Sequence, residues 1–200
     1  MKILAIDTET NSLPADWRGH ESDVNCWPRI VQLGWVLVSA DPQPEGQAMI
    51  VDELASRCEL IRPDGWVITS GSETVHGHSQ QDCESRGKDL HGEIEALDIA
   101  VCRADVVVAH NMAFDWPVVN CEAIRVGYKL PDFSTKRFCT MQAATPVCRI
   151  PGPYGEFKWP RLDELHGFLF GRPFDDAHDA LADARACSQC YVEMMRRGLL

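Results

Sequence analysis

Apolar, β-branched runs that stop abruptly set the frame of this chain. Residues 2–6, KILAI, form a short strand-like run, and residues 29–38, RIVQLGWVLV, form a longer one rich in β-branched and aromatic residues. A third strand is expected within residues 48–61, between a turn marked by Pro42, Pro44 and Gly46 and another at Pro63-Asp64-Gly65. After these the period changes. Leu90, Ile94, Leu97 and Val101 recur at spacings of four, three and four, which predicts a helix over about 79–102. Residues 105–109 then read as a buried strand, 114–126 as a helix closed by Gly127, and 133–140 as a further strand. Residues 146–160 hold four prolines and two glycines and are expected to form a loop or flap. Residues 162–170 and about 177–197 are the closing helices. Strands first, then helix alternating with strand, define one α/β domain over residues 1–200 with a mixed sheet.

Composition narrows the function classes. The 45% hydrophobic and 24% charged fractions are those of a globular protein. No stretch approaches the roughly 18 apolar residues that a membrane span requires. The four apolar residues between Lys2 and Asp7 are too few for a signal-peptide core. A cytoplasmic protein with no membrane partner is expected, its nine cysteines mostly reduced. Only Cys187 and Cys190 have Cys-x-x-Cys spacing, and no second pair completes a zinc site, so the cysteines read as small buried apolar side chains. A net charge of −11 argues against a protein that coats nucleic acid electrostatically. It leaves room for an enzyme that grips a few nucleotides through metal ions. Within residues 125–161 seven basic residues outnumber two acidic ones, which predicts either a local basic surface or solvated loops.

Four carboxylates and a histidine stand out. Asp7 and Glu9 follow directly on the first strand, and strand alternation puts both on one face, where each disfavours ionisation of the other. In AHNMAFDW, His110 and Asn111 stand where the 105–109 strand ends, and Asp115 follows in the first turns of the next helix. That is beyond the carboxyl end of a strand, where the ligands of α/β sheets gather. The alanine-rich stretch DDAHDALADARA, residues 175–186, carries four aspartates and His178. Its apolar stripe continues through Leu181, Ala184, Ser188, Tyr191 and Met195. Asp175 and Asp176 suit a helix start as caps. Asp183, read as lying in mid-helix on the shoulder of that stripe, does not. His178 does not share a helical face with Asp183 and is expected to project from the helix start toward the same cleft.

Each of these residues alone has a plain explanation as a solvated acid or a cap. Together they do not, because two like charges about 4 Å apart cost on the order of 4 kcal/mol at an effective dielectric near 20. A cluster of three or four carboxylates calls for hard divalent ions, Mg²⁺ or Mn²⁺. Two-metal phosphodiester hydrolysis is the chemistry of such a site. A nearby histidine can take the proton of the attacking water.

IDTET, HNMAFD and HDALAD, in this order and at these separations, resemble the three motifs of the DEDDh exonucleases. That DnaQ-like family includes the proofreading subunit of bacterial replicative polymerase and the three-prime repair exonucleases. The His-x4-Asp spacing matches its histidine branch, and VQLGWV, LIRP, VHG and LDEL sit where family members have similar segments. The resemblance implies a ribonuclease H-like fold, a five-stranded mixed sheet flanked by helices. It implies two Mg²⁺ ions, replaceable by Mn²⁺, with Asp7 bridging them, Glu9 and Asp183 holding the first, Asp115 acting partly through water, and His178 as general base. The backbone at Thr8 and Thr10, with Leu13, would pack on the terminal nucleotide, and His76, Asn111 and Phe114 would be further substrate contacts. Asn11-Ser12 departs from the Thr-Gly that many members carry after the Asp-x-Glu motif.

The implied activity is 3′–5′ exonucleolytic release of nucleoside 5′-monophosphates, with single-stranded DNA or 3′ overhangs favoured. An RNA exonuclease of the oligoribonuclease or ribonuclease T type is the alternative. A proofreading subunit docked on a polymerase is another, and a homodimer is a further expected assembly. The short segment after the last helix favours a free-standing nuclease over a docked one.

Overall fold

The computed structural model describes residues 1–41, 49–175 and 177–200. The apolar runs become a sheet of β1 (Lys2–Thr10), β2 (Ile30–Asp41), β3 (Ile50–Leu60), β4 (Val106–Ala109) and β5 (Arg137–Cys139). Their order is β3-β2-β1-β4-β5. The pairs β1–β2 and β2–β3 are antiparallel, and β1–β4 and β4–β5 are parallel. Parallel neighbours need a crossover, usually helical. α1 (Ser70–His76), α2 (Gln80–Arg86) and α3 (Leu90–Arg103) lie between β3 and β4, and α4 (Met112–Arg125) lies between β4 and β5. α5 (Thr140–Cys148), α6 (Leu162–Phe170) and α7 (Ala180–Arg196) follow.

β1 reads as continuous apolar sequence because both of its faces are buried. Leu4 and Ile6 pack with Ile94, Leu97 and Val101 of α3 and Val118 and Val119 of α4. Ile3 and Ala5 join Val36, Val38 and Val108 beneath Ala184, Cys187, Tyr191 and Val192 of α7. The same alternation carries Asp7 and Glu9 to the α7 face of the sheet and Thr8 and Thr10 to the α4 face.

Two devices bring α7 down beside Asp7. Gly34 of β2 stands directly opposite Asp7 in the antiparallel register. A Cβ at Gly34 would lie 2.6 Å from Leu181 N and would overlap the Ala180 backbone, so only glycine admits the helix start. Gln32, two residues earlier and buried, accepts from Ala180 N at 3.0 Å and donates to Asp179 Oδ2 at 3.1 Å. Asp179 itself caps α7, accepting from Leu181 N and Ala182 N at 3.1 and 3.0 Å. On the opposite face, fully buried Glu122 of α4 accepts from Arg29 Nε at 2.8 Å and from Ile30 N at 2.9 Å. Arg125 donates to the carbonyls of Val24, Trp27 and Pro28. α4 therefore anchors the long β1–β2 loop.

Several expected boundaries move, each for a local reason. The helix expected over 79–102 is two helices, α2 and α3, broken at Gly87. That glycine has no room for a side chain beside the Arg62 backbone, and Lys88 N bonds Leu60 O at 2.7 Å. α1 lies in a polar, turn-like segment and starts at Thr69, whose hydroxyl accepts from Ser72 N. α5 runs through Pro146 and ends at Arg149, a residue in left-handed backbone (φ 49°). The strand expected over 133–140 shortens to three residues. Within the expected flap, Gly152 N–Glu156 O and Lys158 N–Ile150 O bonds of 2.7 and 3.0 Å make a small hairpin.

The last helix begins at Ala180 rather than 177, because His178 is left-handed (φ 75°). The cap is therefore Asp179 and not Asp175, while Asp176 and the Pro42–Gly46 turn lie outside the described residues. Several basic residues of 125–161 are tied into the structure instead of forming a basic surface. Lys136 bonds Ala104 O at 3.0 Å, and Arg137 pairs with Glu21 at 2.8 Å and lies over Trp116. Cys187 and Cys190 are buried as expected, whereas Cys102 is exposed. Among the described residues no helix is long and apolar enough to cross a membrane.

Gly34→Ala should cost about 1–3 kcal/mol by overpacking in denaturant melts. The control Gly92→Ala, with open space around its Cβ in α3, should be neutral or stabilise by up to about 1 kcal/mol. Equal effects would contradict the close approach of α7 to β2.

Candidate active site

β1 and α7 supply the centre of the site. Glu9, His178 and Asp183 each offer a ligand atom within 4.8 Å of the other two. Asp183 lies in the first turn of α7, not in mid-helix as its sequence position suggested. Its Oδ2 accepts from His178 N at 3.3 Å. Its Oδ1 is buried and has no hydrogen-bond partner among the described residues. An orphaned carboxylate oxygen is costly unless a cation or a donor meets it.

Asp115 comes from the first turn of α4, itself only 4% exposed. One of its oxygens accepts from both Thr8 N (3.1 Å) and Thr8 Oγ1 (2.9 Å), locking α4 onto the end of β1. Asn111, at φ 121°, makes the sharp turn from β4 into α4 that puts Asp115 there. His110 is fully engaged in structure, with Nδ1 at 3.0 Å from Thr140 Oγ1 and Nε2 at 2.9 Å from Pro160 O.

The electrostatics follow from burial and crowding. Burial pushes the Asp7 carboxyl well above its usual range, and the charges of Asp115, Asp183, Glu9 and Asp179 push it further. Glu9 rises to about 8, from burial first and then from Asp183 and Asp115. Burial also raises Asp115, against the pull of its Thr8 hydrogen bonds, and raises Asp183. Four such acids cannot all ionise in the bare chain. Their oxygens, together with the orphaned Oδ1 of Asp183, fit hard divalent cations such as Mg²⁺ or Mn²⁺.

A cavity of about 500 Å³ opens beside Glu9. Thr8, Thr10, Leu13, His76 and Phe114 line it, which unites five of the six expected substrate contacts, while Asn111 lies outside it. His76 is held neutral, its pKa lowered to about 4 by burial and by the His78 ring stacked 5.3 Å away. A smaller cavity of about 240 Å³ is bounded by Arg161, Phe174, His178 and Asp183.

Asn11, the departure noted in the sequence, is a fastener. It accepts from Arg29 N at 2.8 Å, donates to Val67 O at 2.9 Å, and its carbonyl receives Thr69 N at 3.0 Å. It ties the end of β1 to β2 and to the segment that begins α1, the far wall of the cavity. Sequence reasoning passed over Gln32, Gly34 and Asp179 as supports of the site. For Gln32 and Gly34 the signal was a polar side chain and a glycine inside an otherwise apolar strand.

No family model matches the sequence, and no curated protein does. Solved structures do. E. coli exonuclease I in complex with a dT13 oligonucleotide superposes with a TM-score of 0.69 at 18% identity, over 98% of this chain and 42% of that one. The chain thus spans about two-fifths of that protein. A product-bound exonuclease I gives a TM-score of 0.68 at 16% identity, over 98% and 44% of the two chains. The nuclease domain of 3′hExo, a DEDDh family member bound to rAMP, gives 0.68 at 14% identity, over 99% and 93%. What these proteins share with the chain is a ribonuclease H-like fold, which here, among the described residues, is a mixed sheet ordered β3-β2-β1-β4-β5 and flanked by seven α-helices.

The raised carboxyls carry a sign for stability. Glu9 titrates near 4.5 when unfolded and about 8 when folded, so in that window the unfolded chain binds fewer protons. In chelator, stability should therefore fall as pH rises from about 6.5 to 8, above the range in which the lowered His76 acts in the opposite sense, and Mg²⁺ should remove that decline. Urea melts across the window check it. A flat or rising profile in chelator would contradict the cluster.

Proposed function

We propose that the chain is a divalent-metal-dependent 3′–5′ exonuclease of the DEDDh family. Its reaction is hydrolysis of the terminal phosphodiester at single-stranded DNA 3′ ends, releasing nucleoside 5′-monophosphates. The observation that carries this reading is the convergence of Glu9, Asp183 and His178 within 4.8 Å, beside a cavity lined by Thr8, Leu13, His76 and Phe114. Asp7, Glu9, Asp115 and Asp183 are the residues that would hold two Mg²⁺ ions, or Mn²⁺ in their place. When bound, such ions supply an activated water and a clamp on the attacking and leaving oxygens.

The remaining chemistry belongs to the side chains. His178 is exposed on a left-handed turn, with its backbone N–H fixed on Asp183, so its ring can reach the water and take the proton. Thr8 keeps one Asp115 oxygen engaged and leaves the other for the site. Leu13 and Phe114 give the terminal base apolar surface, and neutral His76 adds no charge to that wall. DNA is supported by exonuclease I with its dT13 oligonucleotide. RNA is the second reading, supported by 3′hExo with rAMP.

5′-Labelled single-stranded DNA, duplex DNA and RNA, each with Mg²⁺ and with chelator, test the activity. Stepwise shortening of single-stranded DNA from the 3′ end, blocked by a 3′-phosphate and lost in chelator, is expected. Cutting of circular single-stranded DNA, or full activity in chelator, would contradict it.

His178→Ala and Asp183→Asn should fail differently. The first should lower the single-turnover rate about 10²–10⁴-fold with metal binding nearly intact. The second should weaken metal binding itself, because a neutral amide is a poorer ligand for a hard dication. An unmodified rate for His178→Ala from pH 5 to 9 would remove the histidine from the mechanism.

A further inference from the structure

The 11–29 loop holds an exposed tryptophan against the wall of the candidate nucleotide cavity. Trp27, Phe114 and Trp17 form a graded series from core to solvent. Trp27 is 5% exposed, Phe114 is half-buried and lines the cavity, and Trp17 is 56% exposed. The Phe114 ring lies 6.4 Å from that of Trp27, edge-on, and 5.7 Å from that of Trp17 at a tilt of 36°. An indole offers a large flat apolar surface, and more than half of this one is open to water.

The loop is not loose. Ala15 N bonds Cys26 O at 2.8 Å, Trp27 Nε1 bonds His20 O at 3.0 Å, and Asn120 of α4 donates to Glu21 O at 2.8 Å. Arg125 holds three more of its carbonyls. Trp17 is thus presented on a fixed support, the arrangement that lowers the ordering cost of binding.

Resting on the exonuclease reading, we infer that Trp17 is the stacking platform for the second base from the 3′ end. With the terminal base against Phe114, the next base of the strand meets the neighbouring ring, and stacking of this kind tolerates any base. In a duplex both faces of that second base are covered by its stacked neighbours, so the platform selects 3′ ends with at least two unpaired nucleotides.

A double-mutant cycle between Trp17 and that base tests the inference. The affinity of the full chain for the oligothymidylate dT8 is measured by fluorescence anisotropy with Ca²⁺ as the cation. It is measured again for the same oligomer with the second base from the 3′ end removed. The unmodified chain should lose roughly fivefold to a hundredfold on removal of the base. Trp17→Ala should lose less than twofold, and Trp17→Phe should fall between them.

Equal losses in the unmodified chain and Trp17→Ala would overturn the platform, as would no loss in the unmodified chain. Cleavage of dT8 in Mg²⁺ is read separately. Coupling without cleavage supports the platform and sinks only the exonuclease reading, whereas cleavage without coupling sinks only the platform.

Discussion

Repulsion among buried carboxylates is the constraint around which this molecule is arranged. Asp7 and Glu9 sit at the end of the strand at the middle of the sheet, and Asp115 and Asp183 are brought to them from helices on opposite faces. Burial holds all four carboxyls above their ordinary range, and the charges of neighbouring acids push each further. Ionised together these groups would push β1, α4 and α7 apart, so in the bare chain protonation relieves part of the repulsion and the rest of the fold holds the cluster together.

The holding is done by short, specific contacts. Gly34 lets the start of α7 touch β2 opposite Asp7, and Gln32 bonds both the Ala180 N–H and the Asp179 cap. Thr8 fixes Asp115 with two hydrogen bonds to one oxygen. Behind α4, buried Glu122 pairs with half-buried Arg29 and ties the helix to the start of β2. The same α4 contacts stiffen the 11–29 loop, so the support that positions Asp115 also positions the surface that would meet the nucleic acid.

Much of this was legible in the sequence, and the reasons differ by element. β1, β2, β4 and α6 are marked by strong local patterns, and Asp7, Glu9, Asp115 and Asp183 by acids placed where strand ends and helix starts meet. The three motifs in order did what no single one could. The break between α2 and α3 was not legible, because Gly87 is required by a tertiary contact with Arg62 that local periodicity does not contain. The start of α7 was misplaced for a similar reason. Ala177 and His178 have ordinary composition for a helix, and the left-handed turn at His178 is visible only with β2 in place beneath Ala180. Gln32 and Gly34 passed as strand filler, since their role depends on a helix about 150 residues later in the chain.

The carboxylate cluster should destabilise the bare chain and stabilise it once a divalent ion is bound. Melting temperatures of the unmodified protein and Asp7→Asn, each in chelator and in Mg²⁺, test it most directly. At neutral pH, removing a carboxyl whose ionisation the folded chain suppresses should raise the melting temperature in chelator. In Mg²⁺ the order should reverse, with the unmodified chain gaining stability that Asp7→Asn does not, because a ligand bound only by the folded state stabilises it. If Asp7→Asn instead melts lower in chelator and gains as much from Mg²⁺ as the unmodified chain, Asp7 is not part of a cation-binding cluster, and the account fails.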